Sequence, residues 1–286
     1  MLGHQADSQD LTHLSRKPAL KAANASDSEA SLLGRLLAPL THALDQIGRL
    51  LILTGQSLAW LVRPPYRFSQ LFSAMDFIGV QSIFIVALTG VFSGMVLALQ
   101  LTYSLRPYGG ENLVGRLVAL SLLREMSPVF ASLMITARAG SAMAAELGNM
   151  RVTEQIDAIK TMAVSPIQYL ISPRLLAAVL VAPMMMVLFT TVGMVGAYLV
   201  AVESLGVDLG MFLARIEDGV RAIDYHMGLV KSAVFGFIIA AISCNQGFHA
   251  SGGAKGVGEA TTRAVVQSAV AILIANYMLT NLMTDL

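Results

Sequence analysis

Cysteine is nearly missing: Cys244 is the single one in 286 residues, which excludes an intrachain disulfide and a cysteine-based metal site. Charge is also scarce. Charged residues make up 13% of the chain and the formal net charge is +1, so the concentrated basic surface that nucleic-acid phosphates require is absent. His226 and His249 have no metal-ligand spacing to one another or to a carboxylate cluster. The segment GGAKGVGEATT lacks the Gly-Lys-Ser/Thr ending of a phosphate loop, and no serine, histidine and acid arrangement stands out for hydrolysis. The chain shows no internal repeat of the kind found in many secondary transporters.

Apolar residues make up 55% of the chain, more than one globular core could hide, so lipid is the natural solvent. A helix needs about 20 mostly apolar residues to cross the hydrocarbon. Four stretches, 77–105, 175–202, 232–246 and 264–284, contain no charged residue up to Thr284, and 117–137 is apolar apart from Arg124 and Glu125. The expectation is an all-α integral membrane protein with five transmembrane helices. The fourth stretch is short and lengthens if it starts near Leu229, with Lys231 snorkelling to the headgroups. Pro183 is expected to kink the third span.

Before these spans, residues 1–30 are polar and hold no apolar run that could serve as a signal-peptide core, which suggests a disordered cytoplasmic tail. Residues 31–75 read as interfacial and elbow helices: Leu33, Leu36, Leu37, Leu40 and Leu44 recur at helical spacing, and Arg63-Pro64-Pro65 stops a second short apolar stretch. Residues 76–286 form the body. With the amino terminus in the cytoplasm and the carboxyl terminus outside, thirteen of the nineteen Lys and Arg residues face the cytoplasm, five face the other side, and Arg124 lies within a span. That bias obeys the positive-inside rule.

This arrangement places 138–174 in the cytoplasm. There Val152, Ile156, Ile159 and Ala163 form one apolar stripe, with Glu154, Asp157 and Lys160 on another face. Thr153 is expected to cap a short amphipathic helix and Ser165-Pro166 to stop it. Periodicity alone favours a loop helix lying against its own protein or the headgroups, and it names no docking partner.

Arg124 and Glu125, in SLLREMSP, are the least expected residues. A charge near the bilayer centre costs about 2.5–3.5 kcal/mol on insertion scales, so the two should face protein, water or a ligand. They are adjacent, about 100° apart around a helix, and need not bond each other. Structural ion pairs with neighbouring helices are the competing reading. Gly90 and Gly94 have GxxxG spacing, which suits close helix packing within the chain or across a dimer.

The run LVALSLLREMSPVFASLMITARAGSAMAAELGNMRVTEQIDAIKTMAVSPIQYLISPR resembles the signature region of the MlaE/YrbE permeases, the membrane subunits of ABC-type lipid transporters. GVFSGMVLALQ and ATTRAVVQS extend the likeness over about 79–282. The resemblance implies a permease without enzymatic activity, working as a homodimer in a bacterial inner membrane. It implies a cytoplasmic ABC ATPase dimer that holds the ATP and magnesium, so that this chain carries no cofactor. It implies also a periplasmic MCE-domain hexamer, a possible STAS-domain protein, and phospholipid cargo moving toward or from the outer membrane, whose lipid asymmetry such systems serve. By the same likeness the insert is a coupling helix, with Glu146, Arg151, Glu154 and Asp157 as polar anchors on the ATPase and Met150, Ile156 and Ile159 as apolar ones. Leu97, Gln100, Tyr108, Arg124 and Glu125 are the implied lipid-binding residues. Two other classes stay open: an ion-coupled carrier titrating Glu125, and a membrane anchor that transports nothing.

Overall fold

The computed structural model describes residues 48–60 and 68–284, so the expectations for 1–47 and 61–67 lie outside the described residues. The chain divides into two units, Met1–Leu51 and Ile52–Leu286. Of the first, 48–51 are described and are helical. The second contains every feature that follows.

All regular structure among the described residues is helical. Five helices are long and apolar enough to cross a membrane: α1 (Phe68–Tyr108), α2 (Glu111–Val152), α4 (Ile167–Ser204), α6 (Ala222–Phe248) and α7 (Gly253–Met283). Two short helices join them, α3 (Gln155–Thr161) and α5 (Leu209–Gly219). The five expected spans are all present, but α1 and α2, at 41 and 42 residues, are about twice the length a bilayer needs. At 1.5 Å per residue α2 runs roughly 60 Å and must project beyond the hydrocarbon.

α1 is bent. Its first segment, Phe68–Ile78, ends at Gly79, and a short 3₁₀ turn leads into Ile83–Leu105. Arg138 of α2 holds the bend by donating to the Phe77 carbonyl and to Gln81 Oε1, with its guanidinium 5.1 Å from the centre of the Phe77 ring. α4 continues as helix through Pro183.

α4 and α6 form the centre of the bundle. α4 packs along α1 on one side and α6 on the other, while α2 and α7 close over α6. Phe189 of α4 and Phe235 of α6 are fully buried where these faces meet. Lipid supplies no hydrophobic drive between helices, so close packing must do it. The GxxxG pair shows how: a methyl group on Gly94 would lie 1.9 Å from the Gly193 carbonyl oxygen, and one on Gly90 2.7 Å from Val192 Cγ2. The glycine spacing therefore serves packing within the chain, α1 on α4. α7 is the opposite case, with only 11% of its apolar window buried and Val266, Val270, Leu273, Tyr277 and Met278 turned outward.

Candidate functional site

Pro128 has no N–H to offer the Arg124 carbonyl four residues before it, and its ring crowds a regular α-helix at that place. α2 answers with a π-helical turn over Leu122–Met126, a widening that re-aims side chains and often marks function. Lys231 Nζ of α6 donates to the Arg124 carbonyl at 2.8 Å.

Arg124 and Glu125 then turn to different partners. Arg124 reaches Asp224 Oδ1 through Nε at 2.6 Å and Nη2 at 2.5 Å. Asp224 also caps the start of α6, accepting from the Arg221 backbone N–H at 2.8 Å. Glu125 accepts from Lys231 Nζ at 2.7 Å, from Asn276 Nδ2 at 3.0 Å and from Thr280 Oγ1 at 3.2 Å. Two cations and two carboxylates thus form a network with no net charge, drawn from α2, α6 and α7.

Each ion pair has a covered member and an open one. Asp224 and Lys231 are 0% and 2% exposed, whereas the side chains of Arg124 and Glu125 are 46% and 42% exposed. The open members line a pocket of about 320 Å³ whose other walls include Leu120, Ser121, Met227, Thr280 and Met283. Such a pocket presents separated charges beside apolar surface. Its chemistry suits an amphiphile with a charged or zwitterionic head, and Arg124 Nη1, which bonds no partner among the described residues, can donate to a phosphate oxygen.

Lys231 departs from expectation. It does not snorkel outward: its ammonium has three donors, and Glu125, the Arg124 carbonyl and Thr280 Oγ1 at 2.8 Å take all three. With every donor satisfied inside, the headgroups offer it nothing more. Asp224, Asn276 and Thr280 were also missed. The available signal was charge balance, since an ionisable residue within a span needs a partner from another span. Of the other expected lipid contacts, Leu97 is half-buried against the core, Gln100 is exposed and Tyr108 is 86% exposed at the end of α1. The pocket walls contain none of these three.

The expected coupling region lies at the other end of α2. The helix runs to Val152, and Glu154, in left-handed conformation at φ 60°, separates it from α3. Thr153 does not cap α3; its hydroxyl bonds back to the Asn149 carbonyl at 2.8 Å and closes α2 instead. α3 stops at Thr161, ahead of Ser165-Pro166, where Ala163 is again left-handed at φ 59°. Left-handed backbone costs a non-glycine residue roughly 1–2 kcal/mol, so both joints of this seven-residue helix are strained. Ala163→Gly is expected to raise stability by about 1 kcal/mol, read as a higher thermal midpoint in detergent, and Glu154→Gly should do the same.

The apolar stripe of α3 faces inward. Ile156 is fully buried among Leu53, Leu147, Leu170 and Ile171, with Met150 and Ile159 packed beside it. Ile156 therefore anchors the helix to its own chain and is not at the surface for another protein. Glu146 is paired with Arg174 at 2.8 Å. Arg151 reaches both oxygens of Asp157, at 2.8 and 2.9 Å, and Lys160 reaches Oδ1 at 2.9 Å. Glu154 and Met162 are exposed, Met162 at 67%.

The bond from Lys160, then that from Arg151, holds the Asp157 carboxyl below its ordinary value of 3.8. A depressed carboxyl contributes above its unfolded pKa and loses that contribution as pH falls through the folded one. The cluster should thus stay intact across the neutral range and break only in acid below the usual carboxylate range. Proteolytic protection of the α3 segment, followed against pH, tests this.

Comparison with known proteins gives a consistent picture. A family model described as Permease MlaE matches residues 71–282. A probable ABC transporter permease protein of Rickettsia bellii is 43% identical over 83% of this chain and 92% of its own length. Another of Synechocystis is 39% identical over 81% of this chain and 88% of its own. The intermembrane phospholipid transport system permease protein MlaE of Haemophilus influenzae is 37% identical over 88% of this chain and 96% of its own.

Proposed function

We propose, from the premise that this chain belongs to the MlaE permease family, that it carries phospholipid across or out of the inner membrane under the drive of a separate ATPase. Membership makes the chain a multi-pass permease subunit of an ABC-type transporter. The pocket between α2, α6 and α7 supports the lipid reading most directly. Arg124 and Glu125 set opposite charges about one residue apart on its wall, with Leu120, Met227 and Met283 beside them. A phosphate on Arg124 and a cationic head group near Glu125 would match that polarity, with the acyl chains along apolar helix surface, including the half-buried Leu97 and the exposed Gln100 and Tyr108 of α1.

The ATPase, which holds the ATP and magnesium, docks in this reading on the outward side of α3, through Glu154, Met162 and the rim of the Arg151–Asp157–Lys160 cluster, with Met150 packed behind the helix and Glu146 tying α2 to Arg174 of α4. Ile156 and Ile159 fix the helix to the bundle, so displacement of α3 passes to α2 and α4. The amino terminus lies in the cytoplasm and the carboxyl terminus in the periplasm. The protein acts as a homodimer beneath a periplasmic MCE-domain hexamer, with a STAS-domain protein as a further possible subunit.

Reconstitution tests this. ATP-dependent lipid movement should appear in vesicles holding this chain and its ATPase, and should fall at least about tenfold with Arg124→Gln, scored at equal amounts of folded protein because the change also takes the counter-ion from buried Asp224. Lipid movement driven by a proton gradient without ATP would support the carrier reading, and none under either condition the anchor. Glu154→Lys combined with Met162→Glu should weaken co-purification of the ATPase while membrane insertion is unchanged; full retention of the ATPase would move the docking surface elsewhere.

A further inference from the structure

The wall that α7 gives the ion-pair pocket is attached differently from the rest of that helix. Ala260, Ala264, Ser268 and Ile272 are buried at every fourth position along one face, so close packing holds this stretch. From Leu273 to Met283, roughly three turns, no residue is buried. Ala275 and Leu279 lie only partly buried against the core, and two polar side chains beside them reach the ion pair. Asn276 Nδ2 donates to Glu125 Oε2 at 3.0 Å, and the Thr280 hydroxyl accepts from Lys231 Nζ at 2.8 Å and lies 3.2 Å from Glu125 Oε1. Thr280 and Met283 themselves line the pocket.

Glu125 is therefore shared between the pocket and its own wall. Its side chain is 42% exposed, so a ligand in the pocket can reach the carboxylate that Asn276 and Thr280 hold. A protonated amine bonds a carboxylate roughly twice as strongly as a neutral amide or hydroxyl does, and displaces them where acceptor sites are shared. Lys231, 2% exposed, keeps Glu125 and the Arg124 carbonyl when Thr280 leaves. A quaternary ammonium brings charge but no N–H, and cannot replace these hydrogen bonds.

Resting on the lipid reading of this pocket, we infer that the last turns of α7, Leu273 to Met283, are its movable wall, latched on Glu125 by Asn276 and Thr280 and released by a lipid head that carries a primary ammonium. The packed stretch that ends at Ile272 stays in place. The pocket then opens sideways toward the hydrocarbon around α7, where Leu273, Tyr277, Met278 and Leu282 face outward. Binding of the head group and opening of the wall are one event.

A nitroxide on Leu282→Cys, 63% exposed near the end of this wall, reads the motion; the native Cys244 is fully buried and escapes the label. The full chain with its ATPase, without ATP, is placed in phosphatidylcholine vesicles with and without phosphatidylethanolamine. The ratio of mobile to immobile label should rise about fivefold with phosphatidylethanolamine, the effect of one lost hydrogen bond. In Asn276→Leu/Thr280→Val the label should be mobile in both lipids, and in Glu125→Gln the two lipids should give one ratio. A label on Val266→Cys, 56% exposed beside the packed stretch, should not respond, which separates the latch from a general change in the bilayer. Equal ratios at Leu282→Cys in the two lipids, or an equal response at Val266→Cys, would overturn the latch, and these readings stand even if the Asn276 and Thr280 variant fails to fold. A response to soluble phosphoethanolamine in phosphatidylcholine vesicles would also overturn it, by assigning the trigger to a free ester. Normal lipid transport with an indifferent label sinks the latch alone, whereas a responsive label without transport sinks only the transport reading.

Discussion

Glu125→Leu is expected to destabilise the protein by about 3 kcal/mol, whereas Lys231→Met should cost roughly half as much. The asymmetry follows from burial. Removing Glu125 leaves the Lys231 ammonium, 2% exposed, without its counter-ion in an apolar bundle. Removing Lys231 leaves Glu125, whose side chain is 42% exposed and which still has Asn276 and Thr280. The double variant Glu125→Leu/Lys231→Met should recover most of the lost stability, because an apolar pair of similar size can replace a buried ion pair at little penalty. Lipid transport should not recover with it. Thermal unfolding of detergent-solubilised protein gives the stability half of the cycle, and vesicle assays with the ATPase give the other. Additive losses in the double variant would mean that the pair does not act as a unit. Recovery of both stability and transport would remove the network from the lipid pathway.

Gly94→Ala is expected to be the most damaging single methyl group that can be added to the chain's first span. Its Cβ would stand 1.9 Å from the Gly193 carbonyl oxygen and 2.6 Å from the Gly193 carbonyl carbon. Both are backbone atoms, which no rotamer change can move aside. Overpacking typically costs about 1–3 kcal/mol, and separation of two helix backbones should put this variant at or above the upper figure. Gly90→Ala should be milder, since its nearest contact, at 2.7 Å, is the Val192 side chain. Gly258→Ala, in α7 with nothing within 4 Å, is the control: it should be neutral or stabilising by up to about 1 kcal/mol, the helix-propensity difference. Yield of folded protein by size exclusion separates the three. A Gly94→Ala protein as stable as the parent would show that α1 and α4 do not pack as described.

The two variants also bear on function in different ways. The ion-pair cycle keeps helix packing and alters charge, whereas Gly94→Ala keeps every charge and separates α1 from α4. A transport defect in the first with folded protein points to the pocket. A defect in the second is expected through loss of fold alone.

The five spans were legible in the sequence because hydropathy is a local property: each run of about 20 apolar residues must find lipid or protein wherever the chain places it. The oddity of Arg124 and Glu125 was legible for the same reason, and family likeness in the TEQIDAI region marked the α3 segment. Partners were not. Glu125 and Lys231 are separated by 106 positions and Arg124 and Asp224 by 100, so only the packing of α6 against α2 could show that Lys231 turns inward. Gly90 and Gly94 announced a close contact but not its other side, because spacing along one helix says nothing of the helix it meets; tertiary packing chose α4. The stripe of Ile156 and Ile159 likewise predicted an amphipathic helix, while its direction depended on Leu53, Leu147, Leu170 and Ile171 converging from other segments. Local sequence determines which surfaces must be covered. Tertiary structure decided what covers them, because the covering groups come from helices far apart in the chain.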